Sequence, residues 1–415
     1  MSHAAPQDQE QEPGPAEPAP TVEQADRRRG VLDGAVLTLL SIVLALVVSG
    51  VLIAIADPDV QESAGYFFSR PTDMLSAVWQ SVSSAYAAMF RGAVFDPGAG
   101  SVTGAIRPLT ESLVVSAPLI AAGLAVGLAF RAGLFNIGAE GQIILGAVGA
   151  AYVGYAVDLP VVLHLVAALL AALLLGGLWG GIPGILKART GAHEVITTIM
   201  LNNIARFLLA WLLSTAAFQR PGRNDPISPP VEETAELPLL LGSWSRLHLG
   251  FVLAVLAALA VWWLLGRSTL GFKLRAVGAS PSAARTAGIR TGTMTFAAMA
   301  IAGSLAGLAG AFQVLGTEKS LTGGISAGIG FDAITVALLG RGNPFGIVAA
   351  GILFGALRAG GVTMQARTGT PIDIVLVVQS LIVLFIAAPP LVRAIFRLRT
   401  RGGLGSMQIS KGWSA

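Results

Sequence analysis

Ten mostly apolar stretches constrain what this chain can fold into more than any other feature. They are 31–56, 109–130, 137–157, 161–186, 194–217, 249–266, 292–316, 325–340, 344–362 and 372–388. A helix crossing a bilayer needs about 20 such residues, and in lipid its backbone polar groups must all be satisfied internally. The eighth stretch is short. It reads as a half-helix completed by the glycine-rich run Gly323-Gly324-Ile325-Ser326-Ala327-Gly328. Composition agrees: 54% of the 415 residues are hydrophobic and only 12% are charged, about half the charged share of a soluble domain. The expected fold class is an all-α polytopic membrane protein of about ten transmembrane helices, built as one domain over residues 31–400.

Basic residues set the orientation. With the N-terminus inside, the segments expected on the inner side hold seventeen Lys and Arg and those on the outer side eight, with Arg206 and Arg358 inside spans. Both termini are therefore expected in the cytosol. Residues 1–30 carry Pro6, Pro13, Pro15, Pro18 and Pro20 among polar residues. They read as a disordered extension, anchored by Arg27-Arg28-Arg29. Residues 401–415 read as a cytosolic tail. Two outer loops are long. In 57–108, the positions Leu75, Val78, Trp79, Val82, Tyr86, Met89 and Phe90 recur at helical spacing, as in an amphipathic helix on the outer interface. Residues 218–248 are rich in proline and acid. These loops either receive an extracytoplasmic protein or simply cover the bundle.

A charge at mid-bilayer costs about 2.5–3.5 kcal/mol on insertion scales, so polar residues inside spans need a reason. In Phe135-Asn136-Ile137-Gly138-Ala139-Glu140-Gly141-Gln142, residues Asn136 and Glu140 share a helix face and Gln142 adds an amide. The set suits hydrogen bonding to a sugar or nucleoside. It also suits a helix start, where Asn caps and Glu favours the dipole. In the fifth stretch Glu194, Thr198, Asn202 and Arg206 recur every four residues, either lining a path or bonding neighbouring helices. The segment Ile329-Gly330-Phe331-Asp332 echoes Ile137-Gly138-Ala139-Glu140, a hint of the internal repeats found in transporters. The pairs Gly123/Gly127, Gly177/Gly181, Gly303/Gly307 and Gly351/Gly355 read as packing seams.

Between the sixth and seventh stretches lies a loop, 267–291, with five basic residues and no acid, Lys273, Arg275 and Arg285 among them. It contains a miniature helix with its own punctuation: Ser280 as N-cap, Pro281 at the first helical position and Gly288 for the C-terminal cap. Such a helix fits a groove on a soluble partner. The plain alternative is a solvated positive-inside loop.

Several classes are excluded. Cysteine is absent, which removes disulfides, thiolate metal sites and cysteine nucleophiles. His193-Glu194 begins like a zinc-protease motif, but position 197 is Thr, so the motif fails. There is no phosphate-binding loop for ATP and no catalytic set. The chain is expected to be no enzyme, with no cofactor and no metal of its own. Its positive charge follows from topology and implies no nucleic acid. Energy has to come from ions or from another protein.

Four segments carry a resemblance. Phe135–Gln142 (FNIGAEGQ), His193–Asn202 (HEVITTIMLN), Gly271–Ile289 (GFKLRAVGASPSAARTAGI) and Val336–Gly346 (VALLGRGNPFG) look like signatures of the permease subunits of bacterial ABC importers for sugars, branched-chain amino acids and nucleosides. The nucleoside or simple-sugar branch is the most similar. The resemblance covers roughly residues 31–400 and leaves the N-terminal extension unexplained. It implies that Pro281–Ala287 is a coupling helix on an ATPase subunit, which uses the ATP. It implies a second permease chain, a different homologous one, an extracytoplasmic binding protein and a place in the bacterial cell membrane. The substrate is expected to be a nucleoside, with ribose or another simple sugar and then a branched-chain amino acid as alternatives. The rival class is a stand-alone ion-coupled carrier, with Glu140 and Asp332 as proton or sodium sites. A lone carrier has no use for a docking helix.

Overall fold

The computed structural model describes residues 22–397, and the side chains of 36–386 and 388–397. Most of the expected extension 1–30 and all of the tail 401–415 lie outside the described residues. Helix α1 (Val22–Ala56) starts within the segment expected to be unstructured. It is followed by α2 (Pro58–Ala64), α3 (Pro71–Ala93), α4 (Val102–Arg131), α5 (Ala139–Ala156), α6 (Val161–Thr190), α7 (Glu194–Leu213) and α8 (Gly250–Arg267). Two short helices come next, α9 (Thr269–Ala279) and α10 (Pro281–Thr286). The remainder is α11 (Thr291–Ala311), which runs on as a π-helical turn Phe312–Glu318, then α12 (Ile329–Leu339), α13 (Pro344–Thr368), α14 (Asp373–Ala387) and α15 (Pro389–Ile395).

Seven of these helices are long and apolar enough to cross a membrane, and eight if the bent pair α14–α15 is one span. The sequence pattern suggested ten. Two of the ten differ for physical reasons. Helix α12 has 11 residues, about 16 Å, roughly half the hydrocarbon thickness. Its glycine-rich lead-in forms turns and does not extend the helix. Helix α5 is diluted by Glu140, Gln142, Gly141, Gly146, Gly149 and Gly154. It tolerates this because it is enclosed: most of its residues are buried among α4, α6, α7, α11 and α12. Helix α14 turns by 93° into α15.

The core lies along α4, where every residue from Ser116 to Ala129 is buried. Around it, glycines let backbones meet. A side chain on Gly303 would strike the Gly176 carbonyl, and one on Gly307 the Ala172 carbonyl, so α6 and α11 touch along their main chains. Gly123 and Gly127 receive Val336 and Ile347, and Gly351 and Gly355 receive Ile120 and Ser116. The glycine pairs are packing seams.

Helix α3 packs into the bundle, chiefly on α13 and α1. Its small residues Ala85, Ala88, Gly92 and Ala93 are buried, Gly92 lies against Thr363 of α13, and Gly360 of α13 lies against Met89. The Tyr86 hydroxyl donates to the Leu46 carbonyl of α1 at 2.5 Å. Close approach of small residues draws α3 down between α1 and α13. The positions Leu75, Trp79 and Phe90 remain exposed.

Inter-helix turns sort to two ends. At one, Gly133 packs on Gly278, and Arg131 Nε donates to the Gly342 carbonyl at 3.0 Å. At the other, residues 217–248 form an ordered cover. Glu232 N–H donates to the Gly154 carbonyl (2.8 Å), Leu237 N–H to the Leu315 carbonyl (3.0 Å), and Leu321 N–H to the Ser228 hydroxyl (2.8 Å). His164 Nδ1 meets the Thr234 hydroxyl at 2.7 Å.

Candidate functional site

The first two sequence signatures fold into one structure, a knot of side-chain amides at the start of α5. Asn136 Nδ2 donates to Gln142 Oε1 at 3.0 Å, and Gln142 Nε2 donates back to Asn136 Oδ1 at 3.1 Å. Asn136 Oδ1 also accepts from the Gly138 N–H at 3.0 Å. From α7, Asn202 Oδ1 accepts from the Gly141 N–H at 2.9 Å while its Nδ2 donates to the Ile137 carbonyl at 2.9 Å. Thr198 donates to the Glu194 carbonyl at 2.7 Å and packs on Gly138, where an added Cβ would sit 3.0 Å from Thr198 Cβ. Asn136, Gln142, Thr198 and Asn202 are all buried. Their polar groups are used on one another and on backbone, as buried polar groups must be.

Arg206 does not join that stripe. Glu194, Thr198 and Asn202 face α5 and α6, whereas Arg206 is exposed beside Asn203. Eight and twelve residues of a 3.6-fold helix do not return to one line, so the fourth member drifts off the buried face. Glu194 pairs with Lys187 at the start of α7.

Beside the knot lies a half-buried charged cluster. Glu140 Oε2 accepts from the Gly330 N–H at 2.8 Å. Two residues on, Asp332 Oδ2 pairs with Arg358 Nη2 of α13 at 2.7 Å, with side-chain exposures of 20% and 25%. Arg358 Nη2 also donates to the Ala327 carbonyl at 3.2 Å. The two similar segments 137–140 and 329–332 are therefore neighbours: Gly330 packs directly on the Glu140 backbone, where no Cβ fits. Since α12 is about 16 Å long, the cluster stands about half a hydrocarbon thickness from the end where Arg131 meets Gly342. Arg358 was missed as a site residue. Its signal was a lone arginine inside an apolar helix, which demands a carboxylate.

A groove of about 610 Å³ between α1 and α3, lined by Val43, Val47, Trp79 and Tyr86 among others, is apolar and apart from this cluster. Among the described residues no group of three or more His, Asp or Glu could hold a metal ion.

The basic loop forms two helices. Ser268 caps α9, accepting from the Gly271 N–H at 2.9 Å, and Ser280 caps α10, accepting from the Ala283 N–H at 3.3 Å. Pro281 holds the first position of α10, and Gly288 follows its end at φ 79°, as expected of a C-terminal stop. Leu274, Val277 and Ala284 are buried and seat the pair on the bundle. Lys273, Arg275, Pro281 and Arg285 are exposed.

Residues 109–387 match the family described as branched-chain amino acid transport system / permease component. The chain is 40% identical over 328 residues to the guanosine ABC transporter permease protein NupP of Bacillus subtilis, covering 78% of this chain and 90% of that one. It is 37% identical over 287 residues to the glucose ABC transporter permease protein TsgB13 of Haloferax volcanii, covering 67% and 75%. It is 33% identical over 296 residues to the nucleoside ABC transporter permease protein NupB of Lactococcus lactis, covering 69% and 81%. No solved structure matches the chain.

Proposed function

The chain belongs to the branched-chain amino acid transport system permease component family, and from that premise we propose that it forms the translocation path of an ATP-driven importer for a nucleoside. It is a multi-pass protein of the cell membrane, and as an ABC permease subunit it is not itself catalytic. Subunits of this kind bind no cofactor, and a partner ATPase hydrolyses the ATP. An extracytoplasmic binding protein hands over the solute.

The observation that carries the nucleoside reading is the 40% identity to the guanosine permease across 90% of its length. The geometry fits a neutral polar solute. The amides of Asn136, Gln142 and Asn202 hold the wall rigid. Glu140, Asp332 and Arg358 then offer half-buried acceptors and a donor near mid-membrane, suited to hydroxyls. Thr198 and Asn202 keep that wall in place from α7. A second permease chain completes the path. The exposed helix α10, with Lys273, Arg275 and Arg285 around it, docks on the ATPase. ATP-driven closure of the ATPases then moves this helix and switches the side to which the path opens.

A glucose reading has one specific support, the 37% identity to a glucose permease. Uptake of radiolabelled guanosine, uridine, ribose and glucose, with and without this gene, separates the two. Nucleoside uptake that requires the gene is the expected result. Gene-dependent glucose uptake with unchanged nucleoside uptake would replace the nucleoside by a sugar.

A further inference from the structure

Transport leaves the groove between α1 and α3 without a use. Its walls run from Val43 to Ile55 on α1 and from Met74 to Tyr86 on α3, and Val60 of α2 lies at one end. Twelve residues of helix make each wall about 18 Å long. That is close to the hydrocarbon depth of one leaflet, about 15 Å. Helix α1 is a candidate span over Val36–Ala56, so the groove opens sideways into lipid. Gly50 forms part of its floor, with Val82 and the Tyr86 hydroxyl packed close against it. That hydroxyl is spent on the Leu46 carbonyl. Val47, Val51, Ile55 and Trp79 stay more than half exposed. On α6, by contrast, Val166, Leu170, Leu174 and Leu178 are exposed along one helix, a face that meets bulk lipid. Two helical walls and α2 would hold a single apolar chain along its length.

The rim at α2 says what kind of molecule carries that chain. Residues 57–73 hold four acids, Asp57, Asp59, Glu62 and Asp73, and one cation, Arg70. Asp57 Oδ1 accepts from the Asp59 N–H at 2.9 Å, and its Oδ2 accepts from the Ser81 hydroxyl at 2.7 Å. It thereby ties the start of α2 to the α3 wall. Asp59 and Glu62 are exposed. Among the described residues, none of the four carboxylates has an ion-pair partner. A headgroup bearing an ammonium complements this rim, and an anionic headgroup is repelled by it. Trp79, on the α3 wall, is a residue type favoured at the membrane interface. Both ends of the described chain lie toward the opposite end of α1. Val22 starts that helix, and Pro389 of α15 shares a small cavity with Leu37 and Ser41.

We propose that the groove is a phospholipid site. One acyl chain lies along α1 and α3, and the headgroup at α2 is phosphatidylethanolamine. The site needs only the membrane location and holds whatever solute the protein carries.

The test uses the full importer, reconstituted in nanodiscs of equal phosphatidylethanolamine and phosphatidylglycerol, released into mild detergent and weighed by native mass spectrometry. Retained phosphatidylethanolamine is expected to exceed phosphatidylglycerol by about threefold, the scale of an exposed charge interaction. Asp59→Asn combined with Glu62→Gln should level the two lipids without removing them. Val47→Trp fills the groove from an exposed position and should remove the retained phosphatidylethanolamine. Val51→Trp serves the same purpose should Val47→Trp fail to assemble. In the released complex, a photoreactive phenylalanine analogue at Trp79 is expected to give a lipid-sized adduct, and one at Leu170 none. No retained phospholipid, equal retention of the two headgroups by the wild type, or unchanged retention in the tryptophan variants would each overturn the proposal. A protein-sized adduct at Trp79 would give the groove to another chain and overturn it as well.

Discussion

Asn202 and His248 are the residues whose geometry makes the sharpest claims. A polar residue inside a span invites a role in contact with solute, which would leave the abundance of Asn202→Leu unchanged. The structure argues otherwise. Both ends of the Asn202 amide are spent on the Gly141 N–H and the Ile137 carbonyl, so leucine orphans two buried backbone groups at about 1–3 kcal/mol each. Asn202→Leu is therefore expected to lower the melting temperature and the membrane yield together with uptake, as read by thermal size-exclusion of the solubilised protein. His248 sits just before α8 in the outer cover. Its Nδ1 accepts from the Gly250 N–H at 3.1 Å, and its Nε2 is buried without a partner among the described residues. Burial first, and then the Arg246 guanidinium, pull its pKa from 6.5 down to about 4. The folded protein favours neutral His248, so its contribution is fully present above pH 6.5 and is lost as the pH falls toward 4. At pH 5 the loss is about 2 kcal/mol. Wild-type protein should melt lower at pH 5 than at pH 7.5, and His248→Gln should flatten that difference; an equal slope in both would remove the histidine from the account.

At the scale of elements, what depends on local chemistry was legible and what depends on distant contacts was not. The short helix of the basic loop declared itself through Ser280, Pro281 and Gly288, because caps are local chemistry and act where they stand. Helix α9 escaped notice, since its apolar residues Leu274 and Val277 read as part of a basic loop until they were seen buried. The glycine seams were legible as seams, but which helices they join was not. Nothing local in Gly303 or Gly307 names Gly176 and Ala172 as their partners. The descent of α3 was hidden for a similar reason: an amphipathic pattern marks a helix and a face, while the small residues that draw it against α13 carry no hydrophobic signal. The two acidic turns were visible as an echo, and their meeting at Glu140 and Gly330 required the fold. A prediction belongs here. In α10 only Ala284 is buried and the rest of the helix is exposed, so Arg285→Glu should leave the bundle folded while weakening retention of the ATPase subunit in pull-down. Undiminished retention of the ATPase by this variant, and by a deletion of 281–287, would return the loop to a topology signal.

The whole molecule has two ends of different charge, and this decides how it sits in the membrane. The end that gathers Arg131, Gly133, Gly278 and Gly342 also carries Lys187, Arg189, Arg267, Lys273, Arg275, Arg285, Arg290 and Arg341, with Glu194 as their acidic neighbour. The opposite end, under the 217–248 cover, mixes its cations with carboxylates: Arg246 with Glu111, Lys319 with Glu236, Arg223 with Asp225 and Arg367 with Asp96. Orientation follows the number of Lys and Arg in short loops, to which acids contribute little, and the first end carries more of them. The basic end is thus expected in the cytosol, where an ATPase can reach α10, and the ordered cover outside, where a binding protein can reach it. Alkaline phosphatase fused after residue 230 should be active and after residue 288 inactive, with a cytosolic fluorescent reporter giving the reverse. The opposite pattern would put the docking helix out of reach of ATP and would undo the importer reading, whatever the sequence relatives transport.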